Sequence, residues 1–239
     1  MRNERSRAAI EAYYDAAAQK YLDKLKPTDF AETTSEATQR QITLASFAMI
    51  RARRPEIQYF NNMLVQYPPT GRKRNPGQVV PDNTIIVYPQ PVRPALHYSL
   101  PLQPVLPFLV VDYVCESNER KTDADNRRKY EEDLRIPYYL CIHPEAGKLS
   151  LFGHDGTRYA PVLPDAAGLH AIPELGMAVS LVDGHARYWS RGEMLPLLHE
   201  LYRQVRRAEE EAARVREDRE RACPQTELQF LRDTSGKAS

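Results

Sequence analysis

The sequence predicts a mixed α/β (α+β) fold, with helices at both ends and strands and turns between them. Three observations carry that prediction. Residues 2–26 and 36–53 place apolar side chains at three- and four-residue intervals, the spacing of one helix face. Between Ile57 and Leu181, short β-branched and aromatic runs alternate with turns containing Pro, Gly or Asn, which is the strand pattern. After Pro196, alternating Arg and Glu enclose Leu201, Val205, Ala208, Ala212 and Val215 at 4-3-4-3 spacing, a further helix.

Each element follows from its residues. Ile10, Tyr13, Tyr14, Ala17, Tyr21, Leu22 and Leu25 make the apolar face of the first helix, which Pro27 and a polar run to Ser35 end. Thr34 or Ser35 is expected to cap the second helix, over about Glu36 to Arg53, with Ile42, Phe47 and Ile50 inward. Pro55 stops it. Residues 62–67 read as a strand, 68–77 as a basic turn and 79–88 as a second strand region. A proline-dense arm then leads to 108–115, the most apolar strand of the chain. The charged stretch 119–135 reads as a helix, closed by Pro137. Residues 138–142, 149–152, 159–162 and 177–181 give further strands. The domain expectation is an N-terminal helical extension over 1–34, a core over 35–197 and a charged helix and tail over 198–239.

Composition narrows the function classes. The 239 residues include 33 basic and 32 acidic ones, a net charge of +1, with 42% apolar and 27% charged residues. Such a chain buries a core, and it does not bind nucleic acid by bulk charge as a histone does. Cys115, Cys141 and Cys223 show no C-x-x-C spacing, so a reduced, cytoplasmic setting is expected. The N-terminus lacks the apolar run of a signal peptide, and no apolar stretch approaches the roughly 20 residues that span a bilayer, so no membrane role is expected. The six histidines form no helical metal pair, and there is no Gly-rich phosphate loop or nucleophile elbow. A zinc hydrolase and an organic cofactor are thereby disfavoured.

Proline is the compositional anomaly: 19 against 10 glycines, ten of them between Pro68 and Pro107. That segment ends just before the strand containing Asp112. An aspartate inside the run 109–114 needs a partner, because an unpaired buried carboxylate costs several kcal/mol. Asp82 lies in a similar apolar setting, between 79–81 and 85–87. Either the two carboxylates converge on a hard divalent cation such as Mg²⁺, or each makes a local turn or pairs with an arginine. Lys121, Arg127, Arg128 and Lys129 follow Asp112, either as a catalytic lysine source or as a solvated helix face. Residues 40–80 hold Arg40, Arg51, Arg53, Arg54, Arg72, Lys73 and Arg74 against Glu56 alone, a regional charge of +6. This is either a phosphate-binding face or, at 72–74, a solubilising hairpin tip.

The ordered succession Val80-Pro81-Asp82, 110–117, Lys129-Tyr130 and 136–139 resembles the Uma-two family of restriction endonucleases, within the PD-(D/E)XK nuclease superfamily. Gly168, 172–175, 181–184 and the charged C-terminal helix extend the resemblance over roughly residues 36–230. It implies a restriction-endonuclease-like central mixed sheet flanked by helices, and metal-dependent cleavage of DNA phosphodiesters with Mg²⁺, or Mn²⁺ as substitute. Asp82 matches the family's first metal-binding aspartate. Asp112 stands where the family usually has glutamate. The family's lysine lies four positions before its tyrosine, and counting back from Tyr130 gives Asn126, so Lys129 is the expected stand-in and Lys121 the second. Glu36 is a candidate third acidic ligand, with dipole stabilisation of its helix as the other reading. Arg51, Arg53, Arg54, Arg72, Lys73 and Arg74 are the expected DNA contacts, and the C-terminal helix the expected homodimer seam. The contrasting expectation is a catalytically attenuated nucleic-acid-binding or assembly protein on the same scaffold.

Overall fold

The computed structural model describes residues 2–26, 32–71, 74–94, 96–114 and 122–235. They form two compact units, Met1–Leu195 and Pro196–Ser239. Among the described residues the fold is mixed α+β, with four helices and 13 strands. No described helix is long and apolar enough to cross a membrane.

The largest sheet of the first unit has six strands. They are β1 (Ile57–Asn61), β4 (Asn83–Val87), β6 (Leu109–Tyr113), β7 (Tyr138–His143), β8 (Lys148–His154) and β9 (Tyr159–Pro161), in the order β1-β4-β6-β7-β8-β9. Only β6 and β7 are parallel in this sheet. Parallel neighbours need a crossover. Here it includes the helix α3 (Thr122–Arg128), which widens into a π-helical segment, Lys129–Leu134. Arg135 then turns the chain in the left-handed conformation, at φ 49°.

The strand region 79–88 divides between two sheets. Val79 ends β3 (Gly77–Val79), which belongs with β2 (Leu64–Tyr67) and β5 (His97–Ser99) in the order β3-β2-β5. Pro81 has no N–H to give to a ladder, so the chain leaves one sheet there and enters the other at Asn83. Asp82 is the residue at this changeover. The proline-dense arm is likewise partly ordered: β5 runs parallel to β2, and a 3₁₀ turn covers Leu100–Leu102. The third sheet is an antiparallel meander of β10 (His170–Ile172), β11 (Met177–Val182), β12 (His185–Ser190) and β13 (Glu193–Met194).

Helix α1 (Arg2–Leu22) buries Tyr14 and Ala18. It is tied to the three-stranded sheet by Gln78 Nε2 donating to Ala17 O at 3.0 Å and by Asp15 Oδ1 lying 2.8 Å from His97 Nε2. Helix α2 (Thr34–Arg53) starts two residues earlier than the sequence implies. Thr33, not Thr34 or Ser35, is its N-cap. Glu36 N–H donates to Thr33 Oγ1, and Thr33 N–H donates to Glu36 Oε2, a reciprocal capping box.

A buried amide locks α2 against β12. Gln39 Nε2 donates to Ala186 O at 3.0 Å, and Ala186 N–H donates to Gln39 Oε1 at 2.9 Å. One turn on, Thr43 Oγ1 and Tyr188 Oη are 2.9 Å apart. These bonds fix the rotation of α2 and therefore the direction of its next residue, Arg40. The core between the sheets and the crossover is rich in tyrosine: Tyr67, Tyr98, Tyr130, Tyr139 and Tyr159 join Val65, Ile86, Val110, Leu134 and Ile136. Burying such rings stabilises by about 1.5–3 kcal/mol each, provided the hydroxyls are satisfied. They are: Tyr98 donates to Val105 O and Tyr159 to Ile136 O. In the second unit, α4 (Leu198–Ser235) leaves Leu201, Val205 and Val215 exposed along one line.

Candidate functional site

Strand register brings the two aspartates together. Asn83 opposes Val111 in the antiparallel β4–β6 pair, so Asp82 stands opposite Asp112 where the ladder ends. Side chains continue the pairing that the backbones abandon. Tyr113 N–H donates to Asp82 Oδ2 at 2.8 Å, and Asp82 N–H lies 3.3 Å from Asp112 Oδ1. Asp112 also accepts from Tyr130 Oη at 3.2 Å, and it is buried, with 5% of its surface exposed. Two carboxylates expected from separate strands thus share one end of the sheet.

Arg40 of α2 is the counter-charge of Asp82. Its Nη2 lies 2.7 Å from Asp82 Oδ1, its Nε 2.8 Å from Glu32 Oε2, and its Nη1 3.3 Å from Asn62 Oδ1. The guanidinium also sits over the Tyr113 ring, 5.0 Å from its centroid. Asn62 holds its place in the left-handed conformation, φ 46°, which asparagine tolerates, while its N–H donates to Asp82 O. The two carboxylates therefore adjoin, and one of them, Asp82, pairs with an arginine. Burial pushes the Asp82 carboxyl above its ordinary pKa, against the lowering by Tyr113 N–H and Arg40.

The other site candidates fall in different places. Lys129 Nζ lies 2.7 Å from Asp125 Oδ2, an ion pair within its own crossover. Its neighbour Tyr130 takes the inward position facing Asp112. Glu36 caps α2 as described. Arg51 and Arg53 are exposed at the far end of α2, about 17 and about 20 Å along the helix from Arg40 at 1.5 Å per residue. Arg54 is tied to Glu56 Oε1 at 2.8 Å and to Glu174 O at 3.1 Å. Arg74 is exposed and its carbonyl accepts from Tyr13 Oη. Lys121, Arg72, Lys73 and Cys115 lie outside the described residues.

Three residues complete the site without having been singled out for it. Tyr130 stands in the quoted Lys-Tyr pair, but its hydroxyl's target depends on the crossover. Tyr113 contributes a backbone N–H and a ring under Arg40. Arg40 itself was one cation among seven, and nothing in its sequence neighbourhood distinguishes it.

Among the described residues no group of three or more His, Cys, Asp or Glu side chains is placed to hold a metal ion. The donor set at the site is two carboxylates. That fits Mg²⁺, which is commonly held by one or two carboxylates with water and phosphate oxygens completing its shell. Asp82 and Asp112 are the residues that would hold it.

No protein-family model and no curated protein matches the chain. Among solved structures, the chain is similar to one from Anabaena variabilis described as "a putative nuclease belonging to DUF820", at 9% sequence identity and a TM-score of 0.42, covering 60% of this chain and 75% of that one.

Proposed function

We propose that this protein is a metal-dependent nuclease that hydrolyses DNA phosphodiester bonds, with Asp82 and Asp112 as its metal-binding carboxylates. The observation that supports the reading is the side-chain ladder at the end of β4 and β6. Two carboxylates from different strands meet there, each with an oxygen accepting a backbone N–H. Mg²⁺, or Mn²⁺ in its stead, would be held by Asp82 and Asp112 and would supply Lewis acidity toward water and phosphate. The chain's own residues do the rest. Tyr130 and the Asp82 N–H hold Asp112 in one orientation, and Tyr113 N–H holds Asp82. Lys129 on the crossover, with Lys121 as second candidate, is the cation assigned to orient the attacking water. Arg51, Arg53, Arg54, Arg72, Lys73 and Arg74 supply phosphate contacts, and α4 pairs with a second copy of itself.

A second reading, a binding or assembly protein with an attenuated site, is favoured by two specific contacts. Lys129 is engaged by Asp125, and Arg40 already neutralises Asp82. Incubating supercoiled and linear DNA with Mg²⁺ or Mn²⁺ separates the two. Cleavage by wild type that disappears in Asp82→Ala and Asp112→Asn supports the nuclease. Cleavage that survives Asp82→Ala, or none with either metal, overturns it, and retained DNA binding then favours the second reading.

A further inference from the structure

At the acidic end of the sheet Glu32 is 36% exposed at its side chain, Asp82 24% and Arg40 16%, while Asp112 is buried. Arg40 is bracketed by two carboxylates, with a nitrogen on each and its third on Asn62. A guanidinium so held occupies Asp82 Oδ1, the side of the carboxylate that the backbone of Tyr113 leaves over. A divalent ion that uses this oxygen competes with it. The Arg40 side chain is long and partly exposed, and a change of rotamer would take it off both Asp82 and the Tyr113 ring. Helix α2 stays in place through Gln39 and Thr43, whose bonds to Ala186 and Tyr188 do not involve Arg40.

We infer that Arg40 is a tethered cation that occupies the acid pair when it is empty, yields Asp82 to a divalent ion, and then presents its freed guanidinium to the phosphate. This rests on the nuclease reading of Asp82 and Asp112. Arg40 thus sets the affinity for the ion and couples it to nucleic-acid binding. The chemistry suits both states: a guanidinium pairs with carboxylate and with phosphate through the same planar fork of N–H donors. The exchange puts two positive charges where one stood at Asp82 and moves the displaced one, on Arg40, to the incoming anion.

The test is calorimetric titration of Mn²⁺ into the full-length protein without nucleic acid, for wild type, Arg40→Gln, Arg40→Lys and Asp82→Ala. Removal of the competing charge is expected to tighten Mn²⁺ binding by about tenfold in Arg40→Gln, with Arg40→Lys between it and wild type. Arg40→Gln is also expected to melt below wild type in EDTA and to recover with Mn²⁺, because the ion restores the missing charge. A residue with a merely structural role would weaken Mn²⁺ binding instead. Binding of a DNA duplex in Ca²⁺, read by fluorescence anisotropy, is expected to weaken by about tenfold in Arg40→Gln, as loss of one charge-assisted pair predicts. Equal Mn²⁺ affinity in wild type and Arg40→Gln, with binding lost in Asp82→Ala, overturns the exchange and leaves the nuclease reading standing. Mn²⁺ affinity that is the same in all four proteins, or absent from all, overturns both. Tighter Mn²⁺ binding with unchanged DNA binding overturns the transfer to phosphate.

Discussion

Tyr130 Oη lies 3.2 Å from Asp112 Oδ1, so a fully buried phenol on the crossover orients a carboxylate on the strand that precedes it. The contact joins the π-helical segment to the acidic pair, and it depends on the phenol remaining protonated.

Tyr130→Phe removes that donor while keeping the ring in the core. A loss of about 1–2 kcal/mol in urea-unfolding stability is expected, as for a buried hydrogen bond to a charged group. Mn²⁺ affinity is expected to fall with it, because Asp112 is no longer oriented. Unchanged stability and unchanged Mn²⁺ affinity would show that the contact contributes nothing.

The tyrosine core sets an alkaline limit. Burial, and then the charge of Asp112, raise the Tyr130 phenol well above its ordinary 10.0, and burial also raises Tyr98, Tyr113, Tyr159 and Tyr188. Below pH 10 both folded and unfolded states keep these protons, and the stability they contribute is complete. Above it the unfolded chain loses protons that the native state retains, so stability falls as pH rises, by about 1.4 kcal/mol per pH unit for each such phenol. Phenolate absorbance of the buried set should therefore appear together with loss of circular dichroism. Smooth titration of all 14 tyrosines near pH 10 with the dichroism intact would contradict this.

Gly77 is required by a close approach. A Cβ at this position would lie 2.0 Å from Tyr67 Cε2 across the β2–β3 pair. The ring is buried, and its hydroxyl donates to Asp133 Oδ2 at 3.0 Å, so it has little room to yield. Gly77→Ala is expected to cost about 1–3 kcal/mol in unfolding stability, the range for overpacking, seen as a lower urea midpoint.

Glu36 divides its two readings cleanly. As the capping-box partner of Thr33 it contributes about 1 kcal/mol, which Glu36→Ala should remove while leaving Mn²⁺ affinity unchanged. Lost Mn²⁺ binding at undiminished stability would instead restore the ligand role.

Helix α4 exposes Leu201, Val205 and Val215 at heptad spacing, the line along which the proposed self-pairing would run. Deleting residues 198–239 is expected to lower the light-scattering mass from dimer to monomer. An unchanged mass would remove this role from the helix.

Much of the architecture is local in origin and was legible in the residues. Three-and-four spacing placed α1, α2 and α4, apolar runs placed β6 and β7, and charge with Pro137 bounded the crossover. The boundaries that shifted did so for reasons of local geometry: Thr33 outcompetes Thr34 because its hydroxyl reaches the N–H of Glu36, and Pro81 splits what reads as one strand.

The candidate site was legible only as parts. That Asp82 and Asp112 each sit in apolar surroundings, and so require partners, follows from the sequence alone, because desolvating a carboxylate is costly wherever it occurs. That they are partners of one place is decided by β4–β6 register. The choice of Arg40 from seven regional cations, and of Tyr130 over Lys129 as the residue facing Asp112, depends on how Gln39 and the crossover rotate their helices. A sequence specifies which charges must be compensated. Which group compensates them is settled by the rotation and register of packed elements, since those bring together residues 18 to 42 positions apart.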